Sequence, residues 1–144
     1  MSPDDNILYS VDETSSSAEA EIVDKGLGDF NRQSAPIHNV RPLTCFAKLA
    51  RGEVIGGAVG RTWGLCCELQ RVWVAESHRR RGIGRQLVRR FEEQAFERGC
   101  RTFYLETFSF QSPDFYYALG YDVRLTISGF PDGISKNVMV RELE

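Results

Sequence analysis

"LQRVWVAESHRRRGIGRQLVRRFEEQA", residues 69–95, changes its period halfway along. Leu69 to Val74 mixes β-branched, aromatic and aliphatic side chains that suit a pleated, buried surface. Leu87, Val88, Phe91 and Ala95 then fall on one helical face, with Arg85, Arg89, Glu92 and Glu93 elsewhere. Three arginines and a Gly-Ile-Gly lie between the two patterns. A helix start leaves backbone N–H groups unpaired and aims a dipole at them, so it attracts anions. Gly82 and Gly84 would let a phosphate approach with no Cβ in the way, and arginine adds bidentate bonds to its oxygens. The plain alternative is a solvated basic helix start. The order strand, glycine turn, helix favours a phosphate site. Two familiar glycine loops are excluded: Leu87 stands where a dinucleotide fingerprint wants its third glycine, and no Gly-Lys-Ser/Thr is present.

Working outward, Cys66 to Val74 reads as a strand, and Thr44–Leu49 with Val54–Thr62 as a hairpin turning at Arg51-Gly52. Gly56-Gly57 marks a bulge or a close backbone approach. Near the N-terminus, Ile7–Val11 suggests a first strand, and Ser16 with Glu19 fits a capping box. An amphipathic helix follows from about Ser17 to Asn31, weakened by Gly26 and Gly28. Downstream, Gly99 ends the long helix, Thr102–Phe108 is a strand, and Pro113 opens a short helix to Leu119. Tyr121–Ile127 and Asn137–Arg141 complete the strands. The expected fold is α/β: one mixed sheet flanked by helices, in a single domain over residues 1–144.

The 144 residues carry 18 Lys+Arg against 20 Asp+Glu, with a pI near 5.8. That balance, with no aromatics among residues 76–90, argues against a nucleic-acid binder. Cys45, Cys66, Cys67 and Cys100 show neither zinc-ligand nor disulfide spacing, so buried free thiols in a reducing compartment are expected, and no metal. No apolar run approaches the ~20 residues of a membrane span, and Met-Ser-Pro-Asp-Asp is unlike a secretory signal. A cytoplasmic protein is the expectation.

The stretch 69–95 resembles the acetyl-CoA motif of the GNAT superfamily of N-acetyltransferases: a strand, Arg-x-x-Gly-x-Gly as Arg79, Gly82 and Gly84, and a helix. "SPDFYYALGYDV", residues 112–123, resembles the family's later Phe-Tyr-x-x-Leu-Gly-Phe segment. "ETFSFQ" and "VMVREL" resemble a bacterial single-domain group, and the element order matches from about residue 44 to 142. The resemblance implies a centrally splayed sheet with helices on both faces, acetyl-CoA as co-substrate and an amine acceptor. It implies that Arg79, Arg80, Arg81, Gly82, Ile83 and Gly84, with the N–H of Arg85, hold the coenzyme's pyrophosphate. It places Val72, Trp73 and Val74 along the pantetheine arm, Val72 and Val74 pairing with it through their backbones as an added strand would. Tyr116 matches the tyrosine beside the coenzyme's sulfur. Ser109 replaces a frequent asparagine among the cofactor contacts. The first 40 residues would shape the acceptor site.

The chemistry requires an amine to lose a proton, since a lysine-like amine has a pKa of ~10.4. A backbone N–H of the 72–74 strand is the candidate oxyanion donor, and Tyr116 the acid for the departing thiolate. Glu68 is the first candidate base, expected to share strand parity with Val72 and Val74. A salt-bridged surface glutamate is an equal reading of Glu68. Glu106 or a water chain is the substitute. Trp63 and Trp73 could line the acceptor cleft, with core packing favoured for at least one. His38 and His78 are not expected to be catalytic. A non-catalytic coenzyme-A-binding regulator is the alternative function, and an exposed edge strand near the C-terminus offers a homodimer surface.

Overall fold

The computed structural model describes residues 6–14 and 17–144. Contacts divide the chain into two compact units, one ending at Ile37 and the other running from His38 to Glu144.

The first unit contains α1, Ala18–Ser34. The Ser17 side chain accepts a hydrogen bond from the Ala20 N–H at 3.1 Å, satisfying one orphan donor of the first turn. Ser16, the cap expected from sequence, lies outside the described residues. The helix continues through Gly26 and Gly28 to Ser34, supported by a Lys25–Asp29 ion pair at 2.8 Å and an Arg32–Asp29 pair. No strand forms over Ile7–Val11, contrary to the pattern. Ile7, Leu8, Tyr9 and Val11 are exposed and have no ladder partner. Asp12 instead accepts from the N–H and hydroxyl of Thr14, a local turn that competes with extended pairing.

The second unit is built on a six-stranded mixed sheet: β1 (Arg41–Lys48), β2 (Val54–Trp63), β3 (Cys66–Val74), β4 (Thr102–Phe108), β5 (Asp122–Ile127) and β6 (Lys136–Glu142). The spatial order is β1-β2-β3-β4-β6-β5. Helix α2 (Ile83–Glu97) joins β3 to β4, and the short α3 (Pro113–Ala118) follows β4. Only β3 and β4 are parallel, and they pair only over Cys66–Glu68 against Thr102–Tyr104. Beyond Glu68 the two strands part, so the sheet splays at its centre.

Leu87, Val88, Phe91 and Ala95 of α2 pack into a core with Cys67, Leu69, Phe103, Leu105, Leu119 and Met139, all nearly inaccessible. Burial pushes the Cys67 thiol up to about 12. Cys66, expected to be buried, is exposed on the opposite face of β3. Neither tryptophan is core: Trp63 is 44% and Trp73 54% exposed. Glu92 is buried and accepts from the Tyr121 hydroxyl at 2.9 Å, from Arg141 at 2.8 Å and from Arg89 at 3.1 Å. Burial and the Glu92 carboxylate both hold the Tyr121 phenol above its ordinary range.

A bulge in β3 sets the direction of its side chains. Gly60 pairs with Leu69 and Val59 with Arg71, leaving Gln70 as the extra residue. Cys67 and Leu69 face the core before it, and Val72 and Val74 pack against that core after it. Glu68 therefore lies on the opposite face from Val72 and Val74, correcting the expected parity. Gly60 is the enabling residue, since a Cβ there would sit 2.0 Å from the Glu68 carbonyl oxygen.

Candidate active site

The splay opens one edge of β3. The Ala75 N–H donates to the Ile55 carbonyl at 2.7 Å, on the β2 side. By alternation along the strand, Trp73 also turns its backbone groups to β2, while Val72 and Val74 turn theirs into the splay. The Val74 carbonyl accepts from Arg79 Nε at 2.9 Å, which ties the arginine turn to the strand end. The Val72 N–H and carbonyl and the Val74 N–H face the gap beyond the last β3–β4 pair.

The turn after β3 has a specific backbone shape. Arg80 at φ 64° and Gly82 at φ 76° both occupy the left-handed region, where glycine has no steric penalty. Gln86 is the first residue whose N–H finds a helical acceptor, the Gly82 carbonyl at 3.1 Å. Among the described residues, no protein acceptor meets the N–H groups of Arg80, Arg81, Gly82, Ile83, Gly84 or Arg85. Beyond its chain neighbours nothing lies within 4 Å of where a Gly82 Cβ would sit, and the nearest atoms to a Gly84 Cβ would be those of the Phe115 ring, at 3.4 Å, and Val74.

Of these residues, all but Arg81 border a groove of about 570 Å³ lined by Val72, Trp73, Val74, Arg79, Arg80, Gly82, Ile83, Gly84 and Arg85. His78, Ser112 and Phe115 complete its wall. Sequence reasoning had set His78 aside and missed the other two. Ser112 at φ 64° carries the chain into α3, and its position just before Pro113 was the only available signal. Arg81 does not line this groove. It borders a separate depression with Phe46, Gln86 and Arg90. Ser109 is also elsewhere: its hydroxyl accepts from the Ser135 N–H at 3.0 Å. Tyr116 is packed inward, its ring edge-on to Phe115 at 5.0 Å and to Tyr121 at 6.1 Å. Burial raises its phenol above the usual value, so it keeps its proton near neutrality.

The two glutamates come together on the sheet face away from α2. Glu68 and Glu106 line one polar depression of about 360 Å³ that spans the splay with Leu69, Gln70, Phe108, Gln111 and Lys136. Each carboxylate has a cationic neighbour: Arg61 Nε donates to Glu68 at 2.8 Å, and Lys136 lies 3.3 Å from Glu106. Glu68 also borders a smaller hollow with Trp63, Cys66 and Tyr104. Among the described residues no cluster of three His, Cys, Asp or Glu side chains could hold a metal ion, and no helix is long and apolar enough to cross a membrane.

A mixed sheet parted at its centre, with an anion-accepting helix start beside the gap, defines a class of group-transfer proteins that seat a phosphate-bearing donor. The chain belongs to the Acetyltransferase (GNAT) family, whose model matches residues 9–121, and it is an acetyltransferase. Blasticidin-S acetyltransferase of Streptomyces morookaense is 37% identical over 112 residues, covering 75% of this chain and 82% of that protein. An acetyltransferase crystal structure from Bacillus cereus is 28% identical, with a TM-score of 0.78 over 93% of this chain and 98% of that one. A Bacillus anthracis protein solved with acetyl coenzyme A shares the fold at 18% identity, with a TM-score of 0.63 over 72% of this chain and 64% of that one. These similarities support acetyl transfer rather than a non-catalytic regulatory role.

Proposed function

We propose that the protein, acting as a single domain over residues 1–144, transfers an acetyl group from acetyl-CoA to a primary amine by direct attack. The row of N–H groups from Arg80 to Arg85 without protein acceptors, beside the groove, carries this reading. That row and the Arg79 and Arg80 guanidiniums suit a diphosphate. The open edge at Val72 and Val74 suits the amides of a pantetheine arm. As the attacking amine adds to the thioester, the Val72 or Val74 N–H stabilises the developing oxyanion. Glu68, or Glu106 across the depression, takes the amine's proton directly or through water. Tyr116, kept protonated by burial, protonates the departing thiolate. Ser109 and Arg81 lie outside the groove, so Arg81 would serve the diphosphate through its N–H in the row.

The blasticidin-S relative makes blasticidin-S the first acceptor to assay. The free cysteines fit a reducing compartment, and we assign the protein to the cytoplasm. The exposed β5 edge, with Leu125 and Ile127 outward, offers a homodimer surface.

Gly82→Val tests the loop. A β-branched residue resists the left-handed backbone and shields neighbouring N–H groups. Losing one hydrogen bond to a charged group is expected to weaken acetyl-CoA binding about tenfold or more. Calorimetry giving wild-type affinity would remove the assignment. Tyr116→Phe is expected to lower turnover about a hundredfold while sparing coenzyme affinity. A wild-type rate across pH would show that Tyr116 is not the acid.

A further inference from the structure

We propose that Lys136 determines acceptor specificity: its ammonium fills a seat, made by the Glu106 carboxylate and the Phe108 ring, that fits a second cationic group on the acceptor. This rests on the acetyl-transfer reading and deepens it.

Lys136 Nζ lies 3.3 Å from Glu106 Oε2 and 5.2 Å from the Phe108 ring centroid. The ring is held firmly. Phe110 stacks on it at 5.4 Å and Phe130 meets it edge-on at 5.3 Å. The Phe108 N–H donates to Gln111 Oε1 at 2.9 Å, fixing the strand end beneath. The Glu106 side chain is 57% exposed, so the seat opens to solution. It lies in the depression that Glu68 and Gln70 border from the other side of the splay. An amine positioned near Glu68 therefore extends its far end toward Glu106.

A carboxylate beside an aromatic face recognises ammonium and, better, planar guanidinium groups. Lys136 already supplies such a cation from within the chain. An acceptor with a second positive charge must displace it, whereas an acceptor with a neutral tail need not. Lys136 thus acts against dicationic amines, and removing its charge while keeping a long apolar side chain should admit them.

The test uses three probes built on one four-carbon chain, butylamine, putrescine and agmatine, with neutral, ammonium and guanidinium tails. Each is titrated into wild-type, Lys136→Met and Lys136→Gln protein holding coenzyme A, with affinity read by calorimetry. The ratio of butylamine to agmatine dissociation constants is expected to rise about tenfold in both variants, with putrescine rising less. Adding Glu106→Gln to Lys136→Met is expected to erase the gain. A merely structural lysine would shift all three amines together. An unmoved ratio, or no binding of any amine to any variant, overturns the proposal. Acetyl-CoA affinity, measured in the same samples, separates the two levels. If the coenzyme binds and the ratio stays fixed, only the Lys136 role falls. If the coenzyme does not bind, the transfer reading falls with it.

Discussion

Gly60→Ala is expected to destabilise the protein by about 3 kcal/mol, the upper part of the overpacking range. A Cβ at this position would lie 2.0 Å from the Glu68 carbonyl oxygen and 2.8 Å from the tip of the Phe91 ring. The ring can shift, but the carbonyl belongs to the neighbouring strand and cannot rotate away without opening the bulge. Relief would require β2 and β3 to separate where their register already steps past Gln70. Since a domain of this kind holds only ~5–15 kcal/mol in total, the variant should show a much lower urea midpoint. An unfolding free energy within about 0.5 kcal/mol of wild type would mean that the two strands are not in this register. Gly82 provides the contrast, since a Cβ there meets nothing and the cost is confined to its backbone angle and its ligand.

Glu92→Ala is expected to cost about 3–5 kcal/mol, as for breaking a buried ion pair by removing one partner. The lost carboxylate would leave Arg141 without its 2.8 Å partner and the buried Tyr121 hydroxyl without its acceptor. Arg89 keeps a weaker hold on the Leu119 carbonyl at 3.3 Å. Glu92→Gln keeps one oxygen for Tyr121 and Arg141 but loses the charge and turns the Arg89 acceptor into a donor, so it should fall between wild type and alanine. Urea unfolding of both variants checks the order. If the alanine variant unfolds at the wild-type midpoint, the arginines are satisfied by water and the cluster contributes no stability.

Most of the scaffold was legible because its elements repeat in short, regular periods. β3 and β4 fall at the residues expected, Cys66–Val74 and Thr102–Phe108, and α2 runs over Ile83–Glu97, ending before Gly99 as expected. The glycine turn was legible too, because a strand, three arginines and two glycines in that order leave few physical alternatives. Four features were hidden. The bulge was invisible because Gln70 carries no mark distinguishing an inserted residue from a paired one. The close backbone approach expected at Gly56-Gly57 is present, a Gly56 Cβ falling 3.0 Å from the Trp73 carbonyl oxygen, but the tighter approach at Gly60 bears no sequence mark. Ile7–Val11 has strand composition but no ladder partner, and pairing depends on the rest of the sheet rather than on local preference. The ion pairs of Glu68 and Glu106 join residues 7 and 30 positions apart, a separation on which sequence periodicity carries no information.

The extra residue at position 70 acts on β3 as a one-step phase slip in its pleat. Upstream of it the strand shows Glu68 to water; downstream, valine side chains anchor it to α2 while its amides stay at the rim. Excising that one residue would leave the valines inward, with Leu69, Arg71 and Val72 alternating in turn, whereas drawing Gln70 into the ladder would swing the valines outward and drive Arg71 and Trp73 against the helix. The geometry of the gap therefore hangs on which residue the ladder skips at one spot more than on the chemistry of the side chain there.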